Sequence, residues 1–380
     1  MPLYDLLIRG GEVWLPDGGG RRAMDVAISG ERIVALGPEL PVAEAQQVVD
    51  ARGHLVTPGL IDLHTHLGFE VHRRVVAAAD VCPASGVTTA VDMGSTGAFA
   101  FPWYRERVLT TAPVHLFEFM NIASLGTTAI HTPYYVEHYG EYVDEADTRR
   151  MIEENRAWIR GIKIFGTSAM VGEWALPALR AARQVGDATD VPLAVHISMA
   201  PPSLAEILDL LRPGDIITHT LTPHNQGILD AQGFVLPEVR AAHARGILFD
   251  QGHGSGSFSF EVARRALAQG FLPDSISTDI YYANVERPVK DLLTTMAKFL
   301  NLGLPLDDVL QRVTANPARA IHEPSLGQLA VGGPADVAVL ALREGDHTFV
   351  DSRQEILRGR WMLECSLTVC RGQIIYRKEV

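Results

Sequence analysis

The alternation of apolar and polar positions separates the two ends of the chain from its middle. Near the N-terminus, short apolar runs separated by turn-forming residues predict β-strands at 3–9, 24–29, 31–36 and 47–56. A second strand-rich block lies near the C-terminus, at 335–342, 366–372 and 373–377. We therefore expect both ends of the chain to assemble into one small β-sandwich domain, made of residues 1–57 and 327–380.

The middle of the chain, residues 58–326, alternates short apolar strands with helical patterns. This alternation is typical of βα units arranged around a parallel sheet. The strands are predicted at 59–66, 86–94, 114–121, 161–166, 192–198, 215–220, 246–252 and 275–280. The helices are predicted at 72–82, 102–111, 145–159, 174–185, 203–211, 235–245, 259–269 and 287–301. Eight strands with eight helices predict an α/β fold of the (β/α)8 TIM barrel type.

Composition and charge exclude several classes of protein. Of the 380 residues, 47% are hydrophobic and 21% are charged, which is typical of a globular protein and not of a disordered one. The net charge of −12 argues against a nucleic acid as partner. No apolar run is long enough to span a membrane. The three cysteines are an odd number, which excludes a disulfide scaffold and favours a cytoplasmic location.

Residues that can bind metal ions recur at the predicted strand ends. Catalytic residues of TIM barrels lie at the C-terminal ends of the strands. His64 and His66 end the first strand, where alternation places both imidazoles on the same side. The later strands contribute further candidates at or near their ends, namely Lys163, His196, His219 and Asp279. Such a set predicts a shared metal site, and imidazole and carboxylate ligands suit Zn²⁺.

Lys163 bears on the number of metal ions. It is the only lysine in the first 289 residues, and it lies in the apolar run GIKIFG. Burial inside a barrel lowers the pKa of a lysine and favours the free amine. A free amine can add CO₂ to form a carbamate, an anion that can bridge two divalent cations. His64, His66 and Asp279 would hold one cation, and His196 and His219 would hold the other.

These groups predict a hydrolytic reaction. Two cations would activate a bridging hydroxide for attack on an amide or ester carbonyl. Asp279 would accept the proton and pass it to the leaving group. We therefore expect a small molecule as the substrate and partner.

The runs TPGLIDLHTH, GIKIFG, AVHIS, DIITHT and STDI resemble the amidohydrolase superfamily, and the resemblance covers essentially the whole chain. It is specific to the binuclear branch, which includes dihydroorotases, hydantoinases and isoaspartyl dipeptidases. The resemblance implies that Asp279 is both a metal ligand and the proton shuttle, and that Lys163 is carboxylated. It implies the same full set of ligands, namely His64, His66, Lys163, His196, His219 and Asp279.

Longer runs resemble a subgroup labelled dihydroorotase-like or adenine-deaminase-like, some of whose members deacetylate acetylated α-hydroxy or α-amino acids. These runs are SGVTTAVDMGSTGAFAF, EFMNIASLG and GHGSGSFSFEVARRALAQGFLPDSISTDI. True dihydroorotases carry an arginine soon after HxH that binds the substrate carboxylate, whereas residues 67–70 here read LGFE. The resemblance therefore favours a deacetylase over a cyclic amide hydrolase of the dihydroorotase or hydantoinase type. We expect Leu67 and Phe69, with Tyr281 and Tyr282 opposite, to receive an apolar substrate group.

Other assignments rest on single residues. His253 follows the seventh predicted strand and is a candidate substrate contact. The aromatic run at 99–104 is typical of helix packing or an oligomer contact, and we expect a homo-oligomer.

Three other functions are alternatives to a binuclear hydrolase. They are a mononuclear deaminase, a Schiff-base aldolase acting through Lys163 and a catalytically silent scaffold. A deaminase would place a glutamate beside His196, but Glu206 lies ten residues further on.

Overall fold

The computed structural model describes residues 2–68, 75–128, 130 and 132–379. The N-terminal part forms five strands of one sheet. They are β1 (Tyr4–Leu15), β2 (Gly20–Ser29), β3 (Arg32–Gly37), β4 (Ala45–Asp50) and β5 (Leu55–Pro58). β2 pairs with β1 and β3 in antiparallel fashion, whereas β4 and β5 both pair with β1 in parallel.

The central part forms seven parallel strands that pair in sequence order. They are β6 (Leu60–Thr65), β7 (Val87–Asp92), β8 (His115–Asn121), β9 (Ile159–Phe165), β10 (Leu193–His196), β11 (Ile216–Thr218) and β12 (Leu248–Asp250). Most of their residues are buried, because helices cover the outer face and side chains fill the interior. This burial explains the continuous apolar runs from which these strands were predicted.

The predicted eighth strand, 275–280, is not a regular strand. It joins its two neighbours by isolated parallel bridges, from Ser275 to Asp250 and from Ile280 to Thr65. Its backbone leaves β geometry at Asp279, where φ is 48°. The backbone N–H of Thr278 donates to the side chain of Asp62, at 3.0 Å, instead of a strand carbonyl. The barrel is therefore nearly closed, with the eighth position filled by an irregular segment.

Thirteen α-helices accompany these strands in the part of the chain that the structure describes. They are α1 (Ala78–Val81), α2 (Phe101–Tyr104), α3 (Pro133–Glu137), α4 (Tyr139–Tyr142), α5 (Glu145–Glu154), α6 (Ser168–Val171), α7 (Ala175–Thr189), α8 (Leu204–Leu208), α9 (Pro237–Ala244), α10 (Phe260–Ala268), α11 (Leu292–Asn301), α12 (Leu306–Gln311) and α13 (Ala315–Ala320). Ser203 forms a capping box with Glu206 at the start of α8. Across the described residues, none of the helices combines the length and hydropathy needed to cross a membrane.

The C-terminal strands join the N-terminal ones in a single eight-stranded sheet. They are β13 (Val337–Val350), β14 (Ile356–Cys370) and β15 (Gln373–Arg377). β13 pairs antiparallel with β5 and thereby connects the two ends of the chain. Val26 in β2 and Val369 in β14, far apart in strand order, share one apolar cluster. The sheet therefore folds around its own core, and both ends of the chain build one β domain as predicted.

Candidate active site

A cavity of about 390 Å³ opens at the C-terminal ends of the barrel strands. Four of the predicted ligands line it, namely His66, Lys163, His196 and Asp279. The other two, His64 and His219, are buried beside them. All six predicted ligands therefore meet at this end of the barrel, where TIM-barrel active sites lie.

The first histidine pair converges on Asp279. Nε2 of His64 lies 3.4 Å from Oδ1 of Asp279, and Nε2 of His66 lies 3.2 Å from the same oxygen. Ligand atoms of these three residues all lie within 4.8 Å of one another. The alternation of β6 thus places both imidazoles on one side, as the sequence predicts. Their arrangement can hold one divalent cation.

Lys163, in β9, is buried, and its Nζ lies 3.2 Å from Nε2 of His64. Burial lowers the pKa of Lys163 to about 8, although the nearby carboxylate of Asp279 acts in the opposite direction. A Cβ at Gly94, where φ is 81°, would lie 2.8 Å from Cβ of Lys163. Glycine at this position therefore leaves room for the lysine stem. Burial thus raises the neutral share of this amine near neutral pH above that of an exposed lysine.

The second histidine pair lies at the ends of β10 and β11. Nε2 of His219 is 2.8 Å from Nδ1 of His196. Nδ1 of His219 donates to the carbonyl oxygen of Gly252 at 2.7 Å, so Nε2 carries a lone pair. Burial lowers the pKa of His219 to about 4. His219 also adopts φ 72°, an unusual backbone angle for a residue with a side chain. The imidazole is neutral, the form that binds metals.

A hydrogen-bonded chain behind His64 orients its ring. The Thr218 hydroxyl donates to Oδ2 of Asp250 at 2.7 Å, so its oxygen accepts from Nδ1 of His64, at 2.8 Å. Nε2 of His64 therefore carries the lone pair toward Lys163 and Asp279. Burial, followed by the charge of Lys163, holds the pKa of His64 well below its usual value.

Sequence reasoning missed Thr218 and Asp250 as supporting residues. Asp250 is buried and accepts hydrogen bonds from three hydroxyl groups, those of Thr218, Ser275 and Ser277. Its burial raises its pKa, which these bonds oppose. A carboxylate inside the apolar run GILFDQG was the available signal, because an aspartate in a buried strand requires partners.

The predicted substrate contacts need correction. His253 is buried and does not line the cavity; its Nε2 lies 2.7 Å from Nζ of Lys298, and its Nδ1 donates to the carbonyl oxygen of Gly254. Leu67 is also buried in the core, where its N–H donates to Asp92. Phe69, predicted beside it, lies outside the described residues. Neither His253 nor Leu67 presents a group to the cavity.

Tyr281 and Tyr282 do line the cavity. The Tyr281 hydroxyl donates to Ser255 at 2.7 Å, while Tyr282 is 53% exposed. Sequence reasoning missed the other apolar lining residues, which come from separate loops and strands: Val75, Ile130, Phe165, Met170 and Met199. It also missed the polar lining residues Thr127, Ser198, His224, Ser255 and Ser257. The wall of the cavity is thus mostly apolar, and it also carries several hydroxyl groups and the imidazole of His224.

Residues 55–374 match the model of the amidohydrolase family. The chain belongs to this family. A deacetylase of Agrobacterium fabrum is 32% identical over 364 residues, which cover 94% of this chain and 88% of that protein. A crystal structure described as an adenine deaminase matches with a TM-score of 0.91 and 31% identity, covering 99% of this chain and all of that one. Another, described as a dihydroorotase, matches with a TM-score of 0.89 and 29% identity, covering 98% of each chain.

Family membership makes this amidohydrolase an enzyme that hydrolyses C–N bonds. Members of the family generally bind divalent metal ions. The ligand atoms of His64, His66 and Asp279 are close enough together to hold such an ion. The predicted fold and the predicted class of enzyme are thereby confirmed, and a divalent metal ion is typical of the family.

Proposed function

We propose that the protein is a binuclear metal-dependent hydrolase that removes the acyl group from a small acylated α-hydroxy or α-amino acid. The observation that carries this proposal is the convergence of six potential ligands at one end of the barrel, with a buried lysine among them. Nζ of Lys163 lies 3.2 Å from Nε2 of His64. Nε2 of His219 lies 2.8 Å from Nδ1 of His196. A mononuclear site would not need the lysine.

The donor set fits two Zn²⁺ ions, and Lys163 would contribute to holding them as a carbamate. The rings of His64 and His219 present lone pairs on Nε2, because Thr218 and Gly252 accept the protons on Nδ1. His64, His66 and Asp279 would hold one ion, and His196 and His219 would hold the other. Imidazole nitrogens with carboxylate oxygens are ligands that Zn²⁺ accepts readily.

When bound, the cations supply Lewis-acid activation of water and of the substrate carbonyl. Asp279 is the residue placed to move a proton. Its Oδ1 lies 3.4 Å from Nε2 of His64 and 3.2 Å from Nε2 of His66, and the carboxylate also lines the cavity. It can accept the proton of the attacking water and then donate it to the leaving oxygen or nitrogen atom. The N–H of Asp279 donates to the His64 carbonyl at 2.6 Å, which holds this segment in register.

The cavity supports the choice of substrate. Its wall is mostly apolar, with Phe165, Met170 and Tyr282 among the lining residues. Among the described residues, Lys163 is the only cationic side chain other than the histidines that lines it, so none of the described arginines is placed to pair with a ring carboxylate such as that of dihydroorotate. The deacetylase that is 32% identical to the chain points to an acetyl group.

The test combines metal analysis with a substrate screen. Protein prepared with Zn²⁺ and bicarbonate is expected to hold about two metal ions per chain, and its intact mass should include one CO₂ on Lys163. Values of kcat/KM are then compared for N-acetyl amino acids, acetylated hydroxy acids, hydantoin, dihydroorotate and adenine. The acetylated acids should be turned over fastest.

Two outcomes would contradict the proposal. One tightly bound metal with unmodified Lys163 and turnover of adenine would identify a mononuclear deaminase. Faster turnover of dihydroorotate or hydantoin than of any acetylated acid would keep the binuclear centre but reject the substrate.

A further inference from the structure

A second group of metal-ligating side chains lies at the opposite end of the barrel. His115 is the first residue of β8, Asp336 directly precedes β13, and Cys370 is the last residue of β14. Two groups of three such residues with ligand atoms within 4.8 Å occur in the described ranges, and the other is the trio of the active site. His115 belongs to the barrel, whereas Asp336 and Cys370 belong to the terminal β domain.

Each side chain of this group is held in place. Nε2 of His115 lies 2.9 Å from Oδ2 of Asp336. Oδ1 of Asp336 accepts from the N–H of Arg371 at 2.8 Å, so the backbone fixes the carboxylate and leaves Oδ2 facing the imidazole. Cys370 is buried, and its sulfur lies 3.7 Å from the carbonyl oxygen of Thr88. The nitrogen, oxygen and sulfur atoms of the three side chains therefore lie within 4.8 Å of one another.

We propose that His115, Asp336 and Cys370 form a structural metal site that binds Zn²⁺ or a similar divalent cation. One imidazole nitrogen, one carboxylate oxygen and one thiolate sulfur are all ligands that Zn²⁺ accepts in proteins. On binding, the S–H bond of Cys370 breaks, a sulfur–metal bond forms and the proton leaves to solvent. No oxidant or reductant is involved.

The metal-free state is also accounted for. Burial, and then the neighbouring Asp336, raise the pKa of the Cys370 thiol above its usual value. Without a cation the sulfur keeps its proton, and His115 and Asp336 form a direct contact.

The position of the group assigns a role to the bound ion. A cation held by His115 from the barrel and by two residues of the terminal domain would cross-link the two parts of the chain. Asp336 already contributes to this junction, because its carbonyl oxygen accepts from the N–H of Gly59 at 2.8 Å, just before β6. The metal would fix the sheet domain on the N-terminal side of the barrel, away from the substrate cavity.

Cobalt gives a readout that belongs to this site alone. Metal-free full-length protein is titrated with Co²⁺, and absorption is recorded in the near ultraviolet, where thiolate-to-cobalt charge transfer appears. The proposed active-site ligands include no sulfur, so they cannot produce this band. We expect the amplitude of the band at saturation to correspond to about one thiolate-bound Co²⁺ per chain, in addition to any Co²⁺ held in the active site, and we expect Cys370→Ser to abolish it.

Cys365→Ser is the matched control, because Cys365 is also buried in β14 but belongs to neither group of ligands. It should retain the band in full. His115→Gln provides a second variant that spares the cysteine, and it should weaken Co²⁺ binding at this site by about tenfold or more. A double variant, His64→Asn with His66→Asn, should lose active-site metal and retain the band.

The results separate this site from the proposed catalytic one. Wild-type protein saturated with Co²⁺ and lacking a thiolate band would overturn the structural site, whatever the active site binds. A band that persists in folded Cys370→Ser protein would overturn it as well. Loss of hydrolase activity with the band intact would instead count against the proposed catalytic centre alone.

Discussion

Nζ of Lys298 lies 2.7 Å from Nε2 of His253, and both side chains are buried. The same Nζ donates to the carbonyl oxygen of Pro288 at 2.7 Å. Since Nδ1 of His253 donates to the carbonyl of Gly254, its Nε2 must accept from Lys298. One amine from α11 therefore ties together the chain segments that precede and follow Asp279.

Replacing Lys298 by methionine should destabilise the protein. The change leaves the buried Nε2 of His253 and the half-buried carbonyl oxygen of Pro288 without their donor. We expect a loss of about 1–3 kcal/mol in the free energy of unfolding, measured by urea denaturation. Lys378→Met is the control, because Lys378 is half-exposed and pairs with Glu364 at the surface. That substitution should change stability by less than about 1 kcal/mol, and equal losses in both variants would refute this account.

The same lysine should make stability depend on pH. Burial lowers the pKa of Lys298 from 10.5 to about 7. Between these values the unfolded chain holds a proton that the folded protein has released, so stability should rise with pH from about 7 to about 10. The contribution of one proton is up to about 1.4 kcal/mol per pH unit. The test measures the unfolding free energy of wild type and of Lys298→Met across this pH range. The stability advantage of wild type over the variant should be smallest near pH 7 and should increase toward pH 10.

Gly254→Ala should impair catalysis far more than Gly256→Ala in the same loop. A Cβ at position 254 would lie 2.4 Å from Oδ2 of Asp279, on a backbone with φ 55°. At position 256 a Cβ would lie 3.8 Å from its nearest neighbour, Nε2 of His224, which is an ordinary contact distance. We expect kcat/KM to fall by about 100-fold or more in the first variant, since displaced catalytic groups commonly cost that much. Similar activity in the two variants would show that this approach to Asp279 is unimportant.

Thr218→Val should weaken metal binding. It removes the hydroxyl that accepts from Nδ1 of His64 and donates to Asp250. Loss of such a supporting hydrogen bond typically lowers metal affinity by about 10- to 100-fold, which competition with a chelator can measure. Thr220→Val is the matched control, because the Thr220 hydroxyl is equally buried but donates to the carbonyl oxygen of Asp250. Unchanged affinity in Thr218→Val would rule out this orienting role.

Variants of Lys163 and Asp279 should separate metal bridging from proton transfer. Lys163→Ala removes the proposed bridge, so metal content and activity should fall together. Short carboxylic acids added to this variant should restore part of both, because a carboxylate can replace the carbamate. Asp279→Asn should retain more metal and lose most turnover, by about 100-fold or more, since a shuttled proton typically contributes that much. Full activity in either variant would reject the proposed mechanism, with metal content measured by elemental analysis.

The parts of the fold that followed from sequence are those governed by burial. Strands such as β9 and β12 are enclosed on both faces, so each was visible as a continuous apolar run. The segment at 275–280 has a similar composition, but the backbone at Asp279 has φ 48° and bonds elsewhere. Composition alone carries no sign of such a local angle.

The candidate site divides in the same way. His64 and His66 were predictable because strand alternation fixes their side. The direction of His253 was not predictable, because its partner Lys298 lies 45 residues further along the chain and is brought near by the packing of α11. The position of Leu67 likewise depends on Asp92, whose carboxylate accepts from its N–H at 2.7 Å and holds it in the core.

The irregular segment at the eighth position has a mechanical consequence. Between β12 and β6 the wall of the barrel is held by isolated bridges and a few hydrogen bonds, such as that from the N–H of His66 to the carbonyl of Ile280, at 2.9 Å. His64 and His66 lie at the end of β6, and Asp279 lies in the irregular segment beside it. A cation bound by all three would cross-link the end of β6 to the irregular segment and so close the barrel. The same three side chains would then contribute both to the chemistry of the enzyme and to the stability of its closed barrel.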